Sequence, residues 1–192
     1  MLDKFTGLKA GAMAAALALA AAPAFAQTAM PMGPTVMVGG AAMYPSRTIV
    51  QNAMNSKDHT TLVAAVKAAG LVDTLSGPGP FTVFAPTNAA FAKLPAGTVD
   101  TLVMPANKAA LTKILTYHVV AGKHSAMELM AMVKAGGGKA TLTTVEGEPL
   151  TVMQSGMKLM LTDAKGGAST ITIADVNQSN GVIHVVDTVL MP

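Results

Sequence analysis

The chain has 192 residues, 51% of them hydrophobic and only 12% charged, a balance that excludes an intrinsically disordered chain and suits one domain with a real core. Its formal charge of +3 is small and its lysines are scattered, so no basic face argues for nucleic acid as a partner. Cysteine and tryptophan are absent, so the core has to be packed from Val, Leu, Ile, Ala and Met without disulfide bonds.

Lys4 and Lys9 precede an Ala/Leu run from Ala10 to Ala22, and Ala24-Phe25-Ala26 then supplies small residues at the two cleavage-recognition positions. This is the pattern of a secretory signal peptide over residues 1–26, cleaved before Gln27. The run falls short of the roughly 20 residues a membrane span needs, and no second candidate follows, so no transmembrane segment is expected after cleavage. An exported chain without cysteine suits a bacterial protein of the periplasm or the extracellular space. Residues 27–43 are rich in Met, Pro and Gly and carry no charge; they read as a flexible leader. Met30, Met32, Met37 and Met43 offer thioethers, which are soft ligands for Cu(I). No His or Cys accompanies them, so a plain spacer is the simpler reading.

A single domain is expected over residues 44–192. Ser46 is placed to cap a first helix through Met54, and Asp58 a second, in which Leu62, Val63, Val66 and Ala69 recur at helical spacing before Gly70. Gly77-Pro78-Gly79-Pro80 is a forced turn, and Phe81-Thr82-Val83-Phe84 alternates as a strand does. Pro86 pushes Ala85 out of helical geometry. Thr87 or Asn88 is then placed to cap a short helix containing Phe91. This strand-to-helix turn has no Ser, Cys or Lys nucleophile and no Gly-rich phosphate cradle. Helical patterns follow over 98–103, 105–116 and around 128–133, with β character at Tyr117-His118-Val119-Val120 between the last two.

Beyond Gly136-Gly137-Gly138 the pattern switches to alternation, in segments beginning at Ala140, Leu150, Lys158, Thr170 and Val182. Helices in the first half and antiparallel strands in the second make an α+β layout. Asn180-Gly181 is expected to form the tight turn that feeds the last strand.

Three stretches carry a family resemblance: FTVFAPTNAAFAKLP (81–95), the Tyr117-His118 pair, and NGVIHVVDTVLMP (180–192). In order and at ordinary spacing they resemble the signature boxes and central motif of the fasciclin (FAS1) domain, in its secreted single-domain bacterial form. The resemblance implies a wedge-shaped β-sandwich carrying a layer of helices, and a non-enzymatic binding module for cell-surface or matrix adhesion. It makes Phe84, Pro86, Thr87, Asn88 and Phe91 the first structural box, and Asn180, Gly181, His184 and Asp187 part of the second. The first box often has an acidic residue where this chain has Asn88.

Tyr117 and His118 match a family motif linked to adhesion, and are the candidate binding residues; a His at a helix-to-strand junction is more often a hydrogen-bonded core residue. The ring of His118 is expected to bond near Thr87 or Asn88. His184 faces opposite to Ile183 and Val185, while His59 and His124, near helix starts, are expected to be exposed. The four histidines lack close ligand spacing, so no metal centre is expected. Glu146, Glu148 and Asp163 read as solvated turn acids, and Asp175 and Asp187 end strands. No catalytic motif is present, and neither enzyme activity nor a cofactor is expected. The partner implied is a cell-surface or matrix protein or polysaccharide. Some members of the family bind carotenoids, so an apolar small molecule is the alternative, with Met127, Met130, Met132, Met153, Met157 and Met160 as candidates to line an adaptable groove.

Overall fold

The computed structural model describes residues 35–192; the expected signal peptide and residues 27–34 of the expected leader lie outside them. The leader reading does not extend to Met43. Val36–Val38 (β1) and Ala41–Met43 (β2) pair as an antiparallel hairpin across Gly39 and Gly40, both at positive φ. Two such residues are what a tight two-residue hairpin requires. The hairpin stays down because Val38 and Met43 are buried in the core, a tertiary contact that composition does not reveal.

Thr48, rather than Ser46, caps α1 (Ile49–Ala53): its hydroxyl accepts the Gln51 amide, and the Gln51 side chain reaches back to the Thr48 amide. Lys57–His59 make a 3₁₀ turn without a side-chain cap from Asp58, and α2 (Thr60–Ala69) runs on from it to a left-handed Gly70. Its buried face is Leu62, Ala65, Val66 and Ala69. After α3 (Val72–Ser76), the Gly-Pro turn leads into β3 (Phe81–Pro86). Thr87 caps α4 (Asn88–Ala92), its hydroxyl accepting the Ala90 amide at 3.2 Å. Then come α5 (Thr98–Leu102), a 3₁₀ turn over Pro105–Asn107, α6 (Lys108–Tyr117), β4 (Val119–Ala121) and α7 (Ala126–Ala135).

The second half is a meander of β5 (Lys139–Thr143), β6 (Pro149–Ser155), β7 (Lys158–Thr162), β8 (Ala168–Gln178) and β9 (Gly181–Val186), each antiparallel to the next. The sheet then turns mixed, because β9 lies parallel to β3, from Phe81 opposite Gly181 to Pro86 opposite Val186. β3 takes β4 antiparallel on its other edge, giving the order β4-β3-β9-β8-β7-β6-β5. A bridge between Val120 and Thr144 brings the two edges together, so the sheet nearly closes on itself. The architecture is the expected α+β arrangement, with helices ahead of most strands.

Two apolar clusters fill it. One packs Val50, Leu62, Val66, Leu75 and Leu115 of the helices against Val83, Ile183 and Val185. The other, inside the curled sheet, joins Phe84, Leu129, Leu150, Val152, Leu161 and Val186. β3 and β9 lie between the clusters and are buried on both faces, as parallel strands usually are. Every β9 residue is buried and so is all of β3 after Phe81, the polar Thr82 included.

Candidate functional site

Tyr117 ends α6 and His118 follows as its C-cap. Both are buried. The Tyr117 hydroxyl donates to the Pro149 carbonyl at 3.0 Å and accepts the Ala164 amide at 3.1 Å, which joins α6 to the start of β6 and to the β7–β8 turn. The His118 ring does not bond near Thr87 or Asn88. Its Nε2 accepts the Leu190 amide at 3.0 Å, so Nδ1 carries the proton and donates to the Ile114 carbonyl at 2.8 Å. Only its backbone reaches the first box, the His118 carbonyl accepting the Phe84 amide at 2.9 Å. Burial pushes the imidazole down to about 4, against the pull of the Ile114 carbonyl and Asp163.

His184 lies in the inner layer of the fold, fully buried and stacked on Phe84 with ring centroids 5.7 Å apart. Its Nδ1 accepts the Asp175 amide and its Nε2 donates to the His124 carbonyl; burial again lowers its pKa. His59 is not exposed. It is covered by Val38 and Met43 of the β1–β2 hairpin and by Ala85. Its Nδ1 meets the Ser56 hydroxyl at 2.9 Å, while Nε2 has no hydrogen-bond partner of ordinary geometry. Burial lowers the pKa of this ring too, more strongly than the Ala85 backbone raises it.

Asn88 fastens α4 to the start of α2. Its Oδ1 accepts the Thr61 amide at 3.0 Å and its Nδ2 donates to the Lys57 carbonyl at 2.8 Å; the amide supplies a donor that a carboxylate at this place would lack. Pro86 closes β3 opposite Val186, and Phe91 is buried in the helical cluster. Asp187 follows β9, accepting the Thr170 amide at 2.8 Å with Lys93 3.7 Å away.

The turn into β9 is Ser179-Asn180, between paired Gln178 and Gly181, and Asn180 does not take positive φ. Gly181 is required for a different reason, since a Cβ there would lie 2.0 Å from the Phe81 carbonyl oxygen. Asn180 is instead a clamp: its Oδ1 accepts the Ile49 amide at 3.0 Å, and its Nδ2 donates to the Leu75 and Gly77 carbonyls at 2.8 and 3.0 Å. Asn180→Ala is expected to cost about 2–4 kcal/mol, since three backbone groups, two of them buried, lose their partner at once. Urea unfolding measures this, and a cost below about 0.5 kcal/mol would show that water replaces the clamp.

Glu146 and Glu148 lie 3.5 and 2.9 Å from Lys113. Asp163 is not a solvated turn acid but buried, accepting the Lys165 and Gly167 amides with one oxygen and the Met191 amide with the other. Among the described residues no three His, Asp or Glu side chains converge as metal ligands would. An apolar hollow of about 30 Å³ is lined by residues that include Val50, Leu62, Val66, Leu75, Leu115 and His118. None of the six later methionines lines it: Met127, Met132, Met153 and Met157 are exposed, and Met153 sits opposite Met160 across β6 and β7. Of the leader methionines, Met37 is exposed and Met43 buried, while Met30 and Met32 lie outside the described residues.

Residues 57–192 match the family model for the fasciclin domain. The chain is similar to protein sll1483 of Synechocystis sp., 49% identical over 158 residues that span 82% of this chain and 81% of that protein. It is also similar to the cell surface glycolipoprotein MPB83 of Mycobacterium bovis, 39% identical over 167 residues, 84% of this chain and 66% of that protein. Among solved structures, a FAS1 domain pair from the insect cell adhesion molecule fasciclin I matches with a TM-score of 0.69 at 19% identity. That match covers 78% of this chain and 52% of the pair, and carries the fold alone. With its two boxes brought together as the parallel strands β3 and β9, and the family match running on through Pro192, the chain belongs to the fasciclin domain family.

Proposed function

We propose that this protein is an exported binding module, in the periplasm or outside the cell, that attaches to a component of the cell surface or its surrounding matrix and performs no catalysis. The observation that carries this reading is membership in the fasciclin family, whose fold this chain shares with an insect cell adhesion molecule and with a mycobacterial cell surface relative. The candidate chemical groups support it: His118, His184, Tyr117 and Asp163 are buried and their polar atoms are occupied in holding the fold. In this reading Tyr117 and His118 brace the domain and do not meet the partner. Carriage of a carotenoid-sized apolar ligand is the weaker reading, because the apolar hollow of about 30 Å³ is far below the roughly 300 Å³ at which ligand pockets begin. Copper handling by the leader is weaker too, since Met37 and Met43 are split between surface and core.

The purified protein is expected to sediment saturably with cell-envelope fragments or secreted matrix of its host. Absence of saturable retention on both, with the protein folded by circular dichroism, would overturn the proposal.

A further inference from the structure

Two open hollows have linings that are neighbours through one backbone hydrogen bond. One, of about 470 Å³, is lined by Arg47, Gln51, Met54 and Asn55. The other, of about 340 Å³, lies among Pro78, Pro80, Lys123 and Ser179 and the backbone of the β8–β9 turn. They are joined where the Ser179 amide donates to the Arg47 carbonyl at 2.9 Å. Each hollow presents one cation, Arg47 or Lys123, and no Asp or Glu lines either.

Arg47 is the only arginine in the chain. Its guanidinium lies over the exposed Tyr44 ring, 5.1 Å from the centroid, and makes no ion pair among the described residues. The ring draws the cation to this place, and the planar guanidinium offers a carboxylate two parallel N–H donors. The loop beneath is held rigid. Buried Asn52 both accepts from the Tyr44 amide and donates to the Tyr44 carbonyl, at 3.1 and 2.8 Å, and bonds onward to Gln178. Gln51 and Asn55 line the hollow with Arg47, and Ser179 lines the other with Lys123, all three exposed; Gln51 Oε1 accepts the Thr48 amide and Asn55 Nδ2 donates to the Gln51 carbonyl, which leaves Gln51 Nε2 and Asn55 Oδ1 to face outward.

From this platform we infer that the Arg47–Lys123 face binds an acidic polysaccharide of the hexuronate type, its carboxylates meeting the two cations and its hydroxyls the flanking amides. The inference rests on the adhesion reading and names the partner's chemistry. An acidic peptide fits less well, because acidic motifs are recognised by clusters of arginine and Arg47 stands as a single arginine, while the Lys123 hollow sits at the closed end of the β8–β9 hairpin and offers no open strand edge to extend.

The test is titration with a fluorescently labelled hexagalacturonate at low salt. Saturable binding is expected, weakened by added salt, absent with neutral maltohexaose, and reduced at least 10-fold by Arg47→Ala. Arg47→Lys should also weaken it, because the planar fork is lost, and Lys123→Ala should weaken it less. The urea midpoint of Arg47→Ala should not move, its side chain being exposed. Unchanged affinity in Arg47→Ala would overturn the assignment, as would polyglutamate binding as tightly as the uronate. Failure of the wild type to bind the uronate while it still sediments with envelope fragments would overturn this inference and leave the adhesion reading standing.

Discussion

A chain ending at Ser179 is expected to show no cooperative unfolding transition by circular dichroism in urea or on heating. The truncation removes β9, which lies between β3 and β8 in the middle of the sheet, and splits the sheet in two. It also removes Val182, Ile183, Val185, Val186, Val189 and Leu190, all buried. At about 1.5–3 kcal/mol for each fully buried aliphatic side chain, even the lower figure summed over the six matches the whole stability of a typical domain, about 5–15 kcal/mol. Asn180 goes as well, and with it the clamp on α1 and α3. A stable fragment 44–179 that melts cooperatively would refute the central role of β9.

Stability should fall steeply between about pH 6.5 and pH 4, before most carboxylates are protonated. His118 is held neutral in the folded protein, lowered from 6.5 to about 4 by burial, while the unfolded chain protonates it near 6.5. Its contribution is therefore fully present above about pH 6.5 and is lost as pH falls toward about 4. A shift of this size corresponds to about 3 kcal/mol. The geometry agrees: a proton on Nε2 would point at the Leu190 amide that this nitrogen now accepts. His184 and His59, both lowered by burial, act in the same direction.

Urea midpoints measured from pH 7.5 to 4 test this, with His118→Ala as the comparison. That variant should be about 1–3 kcal/mol less stable at neutral pH, from a cavity and two orphaned backbone groups, and its pH slope should be shallower. Retention on envelope fragments should fall only in proportion to unfolding. A variant that melts like the wild type but no longer binds would make Tyr117-His118 a recognition site.

How much of this was legible in the sequence depended on distance along the chain. Thr87 capping α4, Gly70 ending α2 and the alternation of β5 to β8 involve residues a few positions apart, and propensity and periodicity report such contacts. The boxes around Phe84 and His184 were readable by resemblance, but not that they form one parallel pair, since Phe81 and Gly181 are a hundred residues apart in the chain. Asn180 shows the same limit. Its neighbour Gly181 announced a turn, whereas the partners of its side chain, Ile49, Leu75 and Gly77, come from two other elements.

The environments of His59 and His118 differ from those the sequence predicts because the elements that meet them come from elsewhere in the chain. Reading residues 36–43 as leader left His59 uncovered; once Gly39-Gly40 folds β1 onto β2, Val38 and Met43 lie over it. The helix-to-strand junction predicts a partner for His118 near the first box, but the ring bonds to Leu190, which reaches it only through the chain's return after β9. The amino-acid order by itself determined the family, the Thr87 cap, the Gly70 stop and the alternation of β5 to β8, because those signals act within a turn or a pleat. The tertiary structure alone decided which polar groups are buried and what they bond to, because burial is set by elements that arrive from far along the chain.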